Sequence, residues 1–270
     1  MKKNIRFVFI VLAVAFSILA CQVTIPIGGD LSRTIRGSGT LDEEERPVSE
    51  FTEVELAIQG TLNIEVGERV SLRIEAEDNL LEHVETEVRA GRLTIESERG
   101  VNLRNSMPIR YQLTVTELDT LVISSRGDIL APDLEAERFS VTISSSGDLS
   151  MGDLDCDSFT ATISSSGDLM MGDLRADTLD VRLSSSGGLS IAGGSVQRQE
   201  ISISSSGEYT ARNLESAEVQ VRISSSGSAT IWVRDDLEAT ISSSGDVFYI
   251  GDPEVDATTS SSGDVVQIRE

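Results

Sequence analysis

Lysine, histidine, cysteine and aromatic residues are scarce in this 270-residue chain, and each shortage closes a functional route. Both lysines, Lys2 and Lys3, lie at the extreme N-terminus, so arginine carries every later cation of that kind. A serine nucleophile needs a base beside its hydroxyl. With His83 the one histidine and no lysine after Lys3, the many serines have almost no candidate base. There are two cysteines, Cys21 and Cys156. If Cys21 is used elsewhere, as argued below, no intramolecular disulfide can form even in an oxidising compartment. Aromatics make up 4% of the chain, with Trp232, Phe248 and Tyr249 near the C-terminus and Tyr209 alone, too few for a stacking platform along one face. Acids outnumber Lys and Arg by 45 to 22, a formal charge of −23. Such a field repels phosphates, which disfavours anionic headgroups as partners, and no nucleic-acid partner is expected.

What is present begins with an export signal. Lys2, Lys3 and Arg6 precede an apolar run from Phe7 to Ala20, of secretory length and shorter than the roughly 20 residues a spanning helix needs. The run ends in Ile18-Leu19-Ala20-Cys21, which resembles the lipobox of bacterial lipoproteins. Residues 1–20 are therefore expected to be a signal peptide and Cys21 the lipidated residue. The protein is then membrane-anchored through its N-terminal lipid, to the cell membrane or an outer membrane, and faces the extracytoplasmic side. Losing the leader removes three cations and no acid, moving the charge from −23 to −26. Residues 21–48, with Gly28-Gly29 and the acids Asp42 to Glu45, read as a tether.

The body of the chain is a repeat. Ser-Ser-Ser-Gly begins at 144, 164, 184, 204, 224, 242 and 260, after a variant, Ser124-Ser125-Arg126-Gly127. The step is 20 residues five times, counting from the variant, and then 18 twice. Apolar residues alternate within each unit, as Phe139, Val141, Ile143, Leu149 and Met151 do, which marks strands with one buried face. The middle serine and the glycine share that inward parity, giving the structural pairs Ser145 and Gly147, Ser165 and Gly167, Ser185 and Gly187, Ser205 and Gly207, Ser225 and Gly227, Ser243 and Gly245, and Ser261 and Gly263. Glycine is expected there because it tolerates strained backbone angles where the coil narrows. Twenty residues cannot hold a propeller blade of about 40. The fold class is therefore all-β, a right-handed parallel β-helix (solenoid) of about 20-residue rungs over residues 49–268. Turns over 49–120 are irregular, with a short helical excursion at Asp78 to His83, and those over 121–268 are regular.

The stretch FTEVELAIQGTLNIEVGERVSLRIEAEDNLLEHVETEVRAGRLTIES, followed by PIRYQLTVTELDTLVISSRGD, resembles the auto-transporter adhesin head GIN-domain family over about residues 49–250. That resemblance implies an all-β, β-helix-like module, often on a lipoprotein, and supplies no catalytic residues. The chain departs from a typical member in the regularity of its serine repeats.

Three patterns carry candidate chemistry. An acidic column follows the glycine, Asp128, Asp148, Asp168, Asp246 and Asp264, with Glu208 in the series and breaks at Gly188 and Ser228. Carboxylates stacked about 4.8 Å apart repel by roughly 0.9 kcal/mol per pair at bulk-water dielectric. Calcium takes such oxygens, so a Ca²⁺ column is one reading and a solvated face the other, with no cofactor expected otherwise. Arg126-Gly127-Asp128 matches a tripeptide that integrins read, in a register that one Ser-to-Arg change creates. Cys156 aligns with Ala136, Ala176 and Ser216, a column of small residues, as a buried packer. The expected function is a non-enzymatic envelope module, adhesin-like or structural, whose partner is an unknown surface glycan or protein. The alternatives are an envelope-stress sensor and a polysaccharide-active β-helix enzyme, and the constant 20- or 18-residue step leaves no room for the long loops of the latter.

Overall fold

Inward side chains of one parity are hidden only when turns stack on one another, so strand and solenoid form together. A computed structural model describes residues 32–269; Cys21 and residues 1–20 lie outside them. The expected β-solenoid of stacked parallel coils is what the chain forms.

The N-terminal part holds β1 (Arg33–Arg36), β2 (Leu41–Arg46), β3 (Glu53–Ala57), β4 (Thr61–Val66) and β5 (Ser71–Glu77). One helical turn, α1 (Asp78–Leu81), stands where the excursion was expected, and β6 (Val84–Arg89), β7 (Arg92–Ser97), β8 (Val101–Arg104) and β9 (Arg110–Val115) follow. The regular coil runs through β10 (Thr120–Ile123), β11 (Asp128–Ala131), β12 (Leu134–Ile143), β13 (Leu149–Met151), β14 (Leu154–Ile163) and β15 (Leu169–Leu183). It continues with β16 (Gly188–Ile203), β17 (Glu208–Ile223), β18 (Ser228–Ile241), β19 (Asp246–Ile250), β20 (Glu254–Thr259) and β21 (Val265–Gln267).

The 20-residue period is the stacking register itself. Phe139 lies opposite Phe159, Val141 opposite Ala161 and Ile143 opposite Ile163. The same step carries Ile163 to Leu183, Ile203 and Ile223. The change to 18 has a visible site between β17 and β18. Ala211 and Glu215 face Ile231 and Trp232, which removes three residues, and one is regained between Ser216 and Glu218. All of this shortening falls at one corner, so the inward columns on either side keep their register.

The turns nearest the N-terminus do not stack in chain order. β3 and β4 lie beside β10 and β11, with Leu56 opposite Ile123 and Leu62 opposite Ile129. Gly60 thus holds the place of Gly127, as the alternation predicts. On the far side of β3 and β4 lie β7 and β9, again parallel, although they come later in the chain. Antiparallel strands then close this end: β5 on β9, β2 on β5 and β6 on β7. Residues 49–120 are thus turns of the same coil folded back upon themselves, not a simple prelude to it. A parallel coil ends in an open strand edge, and antiparallel return strands cover it. Part of the expected tether is ordered into the coil's end. β2 lies wholly inside the compact unit that starts at Thr34, so residues 41–46 belong to the fold.

Cys156 packs as a small core residue, 7% exposed, with burial first and the neighbouring Asp155 and Asp157 next pushing its thiol up to about 11. Little thiolate exists at pH 8, so a disulfide-exchange reagent should label native protein at least a hundredfold more slowly than urea-unfolded protein. Rapid native labelling would contradict this burial.

Candidate functional site

The serine columns are architecture. Ser144 and Ser146 are exposed, Ser145 is half-buried and Gly147 is buried, the alternation the sequence predicts. Backbone bonds join successive rungs here, from Ser144 N–H to the Ile123 carbonyl (2.9 Å) and from Ser164 N–H to that of Ile143 (2.9 Å). The glycines are not strained. Among the described residues, Gly60 is the member of this series with a positive φ, 122°. The others are small because rungs approach so closely: a Cβ on Gly167 would overlap the carbonyl oxygen of Gly147. The expected reason for glycine is thus corrected from backbone freedom to contact between rungs.

The acidic column has a structural use. Asp128 Oδ1 accepts the backbone N–H of Asp148 (3.0 Å), Asp148 Oδ1 that of Asp168 (2.9 Å) and Asp168 Oδ1 that of Gly188 (2.7 Å). Asp246 does the same for Asp264 (3.1 Å), and a second column links Asp133, Asp153 and Asp173. A carboxylate bonded to a backbone N–H is held without a cation. Among the described residues no group of three or more His, Cys, Asp or Glu side chains is placed to hold a metal. The geometry therefore lends the calcium expectation no support. Asp148→Ala should cost about 1 kcal/mol, the usual net value of one such bond. Asp148→Asn keeps an acceptor and removes the charge that repels Asp128 and Asp168 on either side, so its melting temperature should equal or exceed that of the parent at low salt. That gain should fade in high salt.

Arg126-Gly127-Asp128 lies flat in the coil. Gly127 is buried, Arg126 reaches Gln59 Oε1 at 3.4 Å and Asp128 is bonded into the ladder, so the tripeptide does not protrude as a loop. His83 is 7% exposed, and its Nδ1 sits 2.6 Å from Glu98 Oε2, far in sequence from the serine repeats.

Two buried polar sites escaped the sequence reading. Gln199 stands in the column of Phe139, Phe159, Leu179 and Val219, and the period alone shows the exception. The Tyr209 hydroxyl donates to Gln199 Oε1 (2.6 Å), and Gln199 Nε2 donates to Ser216 Oγ, all three fully buried. Burial pushes the Tyr209 hydroxyl far above the ordinary tyrosine range. Glu77 is 0% exposed beside α1. Its carboxylate accepts from Gly39 N–H (2.7 Å), Ser106 N–H (2.8 Å), the Ser106 hydroxyl (2.5 Å) and, at 3.4 Å, Met107 N–H. Burial alone would raise its pKa, yet these bonds outweigh it and hold the carboxyl below its ordinary value.

The closed N-terminal end also carries a groove of about 640 Å³, larger than those of about 520 and 510 Å³ along the coil. Its floor is a row across four strands, Asn63 on β4, Gln112 on β9, Arg73 on β5 and Glu45 on β2, each opposite the next. Glu65, Thr114 and Ser71 form a second row, in which the Ser71 hydroxyl donates to Thr114 Oγ1 (3.0 Å). Arg46, Pro47 and Val48 form a wall. Antiparallel return strands create this concavity, and the regular repeat does not. No serine or aspartate of the predicted columns lines it.

Solved structures share the fold. A "putative lipid binding protein" from Parabacteroides distasonis superposes with a TM-score of 0.81 at 24% identity, covering 87% of this chain and 100% of its own. A "putative adhesin" from Parabacteroides merdae gives 0.79 at 20%, covering 87% and 99%, and another from Parabacteroides distasonis 0.77 at 19%, covering 87% and 100%. Among curated proteins none matches the sequence. The family model described as "Putative auto-transporter adhesin, head GIN domain" matches twice, over residues 50–172 and 153–253, and the chain belongs to that family.

Proposed function

We propose that the protein is an exported lipoprotein, anchored through Cys21, whose solenoid serves as a non-enzymatic, adhesin-like binding module on the extracytoplasmic side. One observation carries the reading. From β12 to β19 each turn follows the last at 20 or 18 residues, without an inserted loop to wall a catalytic cleft. The outward aspartates Asp128, Asp148 and Asp168 are already tied into a ladder of backbone bonds. The lipid-binding description of one relative has little purchase on the coil interior, where Phe139, Phe159, Tyr209 and the aliphatic columns fill the space. The family and the leader both favour a surface location.

Two measurements test this. In cells fed an alkyne fatty acid, the parent should take up label and sediment with membranes, while Cys21→Ala should do neither; equal labelling would remove the anchor. Purified protein on a sensor surface should bind saturably to some member of a panel of polysaccharides and matrix proteins and return it unaltered. A shortened or modified ligand would overturn the non-enzymatic reading, and no saturable ligand would overturn the binding one.

A further inference from the structure

We infer that the N-terminal groove is a binding site for a neutral polyhydroxyl chain, an uncharged oligosaccharide. This rests on the binding-module reading and names the place and the ligand class.

Three observations lead there. The first is charge. In a chain of −23, this groove sets Arg73 against Glu45 and Glu65. Two other grooves are more acidic: one has Arg175 against Glu117, Asp133, Glu135, Asp153 and Asp155, and another has Arg198 against Glu200, Glu218, Asp236 and Glu238. An anion meets the protein's field everywhere, and a cation would prefer the more acidic grooves, so the least acidic of the three suits a neutral ligand.

The second is hydrogen-bonding capacity that the fold leaves unspent. Among the described residues, the amides of Asn63 and Gln112 have no side-chain hydrogen-bond partner, although they lie opposite one another. Each amide offers both donors and an acceptor, the set that matches a hydroxyl, which itself donates and accepts. Arg73 adds donors beside them and is held loosely, 3.4 Å from Glu43 and 3.8 Å from Glu45.

The third is spacing. Neighbouring strands lie about 4.8 Å apart, so Asn63, Gln112 and Arg73 recur at that interval across the floor. That interval is close to the length of one pyranose unit in an extended glycan, so successive sugars meet successive side chains. Pro47, Val48 and Val70 supply an apolar edge for ring C–H faces in place of an aromatic platform.

The test uses full-length protein in a sugar-free zwitterionic detergent, titrated calorimetrically with cellotetraose, chitotetraose, mannotetraose and maltotetraose. At least one should bind saturably, and Asn63→Ala with Gln112→Ala should weaken it tenfold or more. Gln112→Glu keeps the size and adds a charge; it should weaken binding too, which covers the case that the double variant folds poorly. Thr142→Ala with Thr162→Ala, on another face, should change nothing. Binding undiminished in the groove variants overturns the site. Tighter binding of tetragalacturonate, an anionic chain, overturns the ligand class. If no saccharide binds while a matrix protein still does on the sensor surface, this inference falls and the binding-module reading stands; if nothing binds, both fall.

Discussion

Gly167→Ala is expected to destabilise the coil by about 3 kcal/mol or more, the upper range for forcing a methyl into a filled space. The new Cβ would overlap the Gly147 carbonyl oxygen and press on the Ile143 side chain and the Ser145 carbonyl oxygen, 2.8 and 2.9 Å away. Two of those three neighbours are backbone, so no side-chain rotation relieves the clash. The rungs must part, and the bonds from Ser164 N–H to Ile143 and Gly187 N–H to Ser165 run through the same place. In a solenoid each turn leans only on its neighbours, so damage stays local before it spreads. Limited proteolysis should therefore cut first near residues 160–190. The control lies 21 residues further along: a Cβ on Gly188 meets nothing closer than 3.3 Å. Gly188→Ala should move the melting temperature little. Equal melting of the two variants would show that glycine serves the unfolded or the turning chain and not the contact between rungs.

That contrast also shows why the fold was legible and its details were not. Period two and the 20-residue repeat place every inward column, and the pairing of Phe139 with Phe159 or Ile143 with Ile163 follows from counting. Counting also carries Gly60 onto Gly127 across an irregular insertion, since both precede a Thr or Asp that pairs in register. Alternation does not say which strand lies beside which. β7 and β9 alternate as well as β3 and β4 do, yet they stack beneath them, because the end of the coil must be covered and the chain returns to do it. The same cause made β2 invisible: Asp42 to Glu45 look like a solvated tether, and they are an edge strand whose acids also discourage end-to-end pairing. The candidate groove was missed for a related reason. Asn63, Gln112 and Arg73 are 10 to 49 residues apart in the chain and meet only through antiparallel pairing. The serines and aspartates drew notice because they recur, and recurrence here marks stacking.

Glu77 is the second place where one side chain should matter greatly, and its parity gives no warning. Leu72, Ile74 and Ala76 are the inward residues of β5, so Glu77 points the other way and is buried only because residues 37–39 and 105–107 close over it. Glu77→Gln should cost about 3 kcal/mol at pH 7. One carboxylate oxygen becomes an NH2 facing N–H donors, and a buried donor without an acceptor costs about 1–3 kcal/mol beyond the charged bonds lost. The pH dependence separates this from a general loosening. The folded carboxyl titrates below its ordinary value of 4.5, so near pH 4 the unfolded chain binds more protons than the folded one. The stabilisation by Glu77 is then complete above about pH 4.5 and disappears as pH falls through the lower folded value. Most of the other acids in this chain of 45 are exposed, and protonating them relieves self-repulsion, an effect of opposite sign. The difference between parent and Glu77→Gln isolates the one group. Melting curves from pH 7 to pH 3 should show a wide gap at neutral pH that closes toward pH 3. A gap that stays constant with pH would mean that packing around residue 77, and not its charge, holds the loops over this end of the coil.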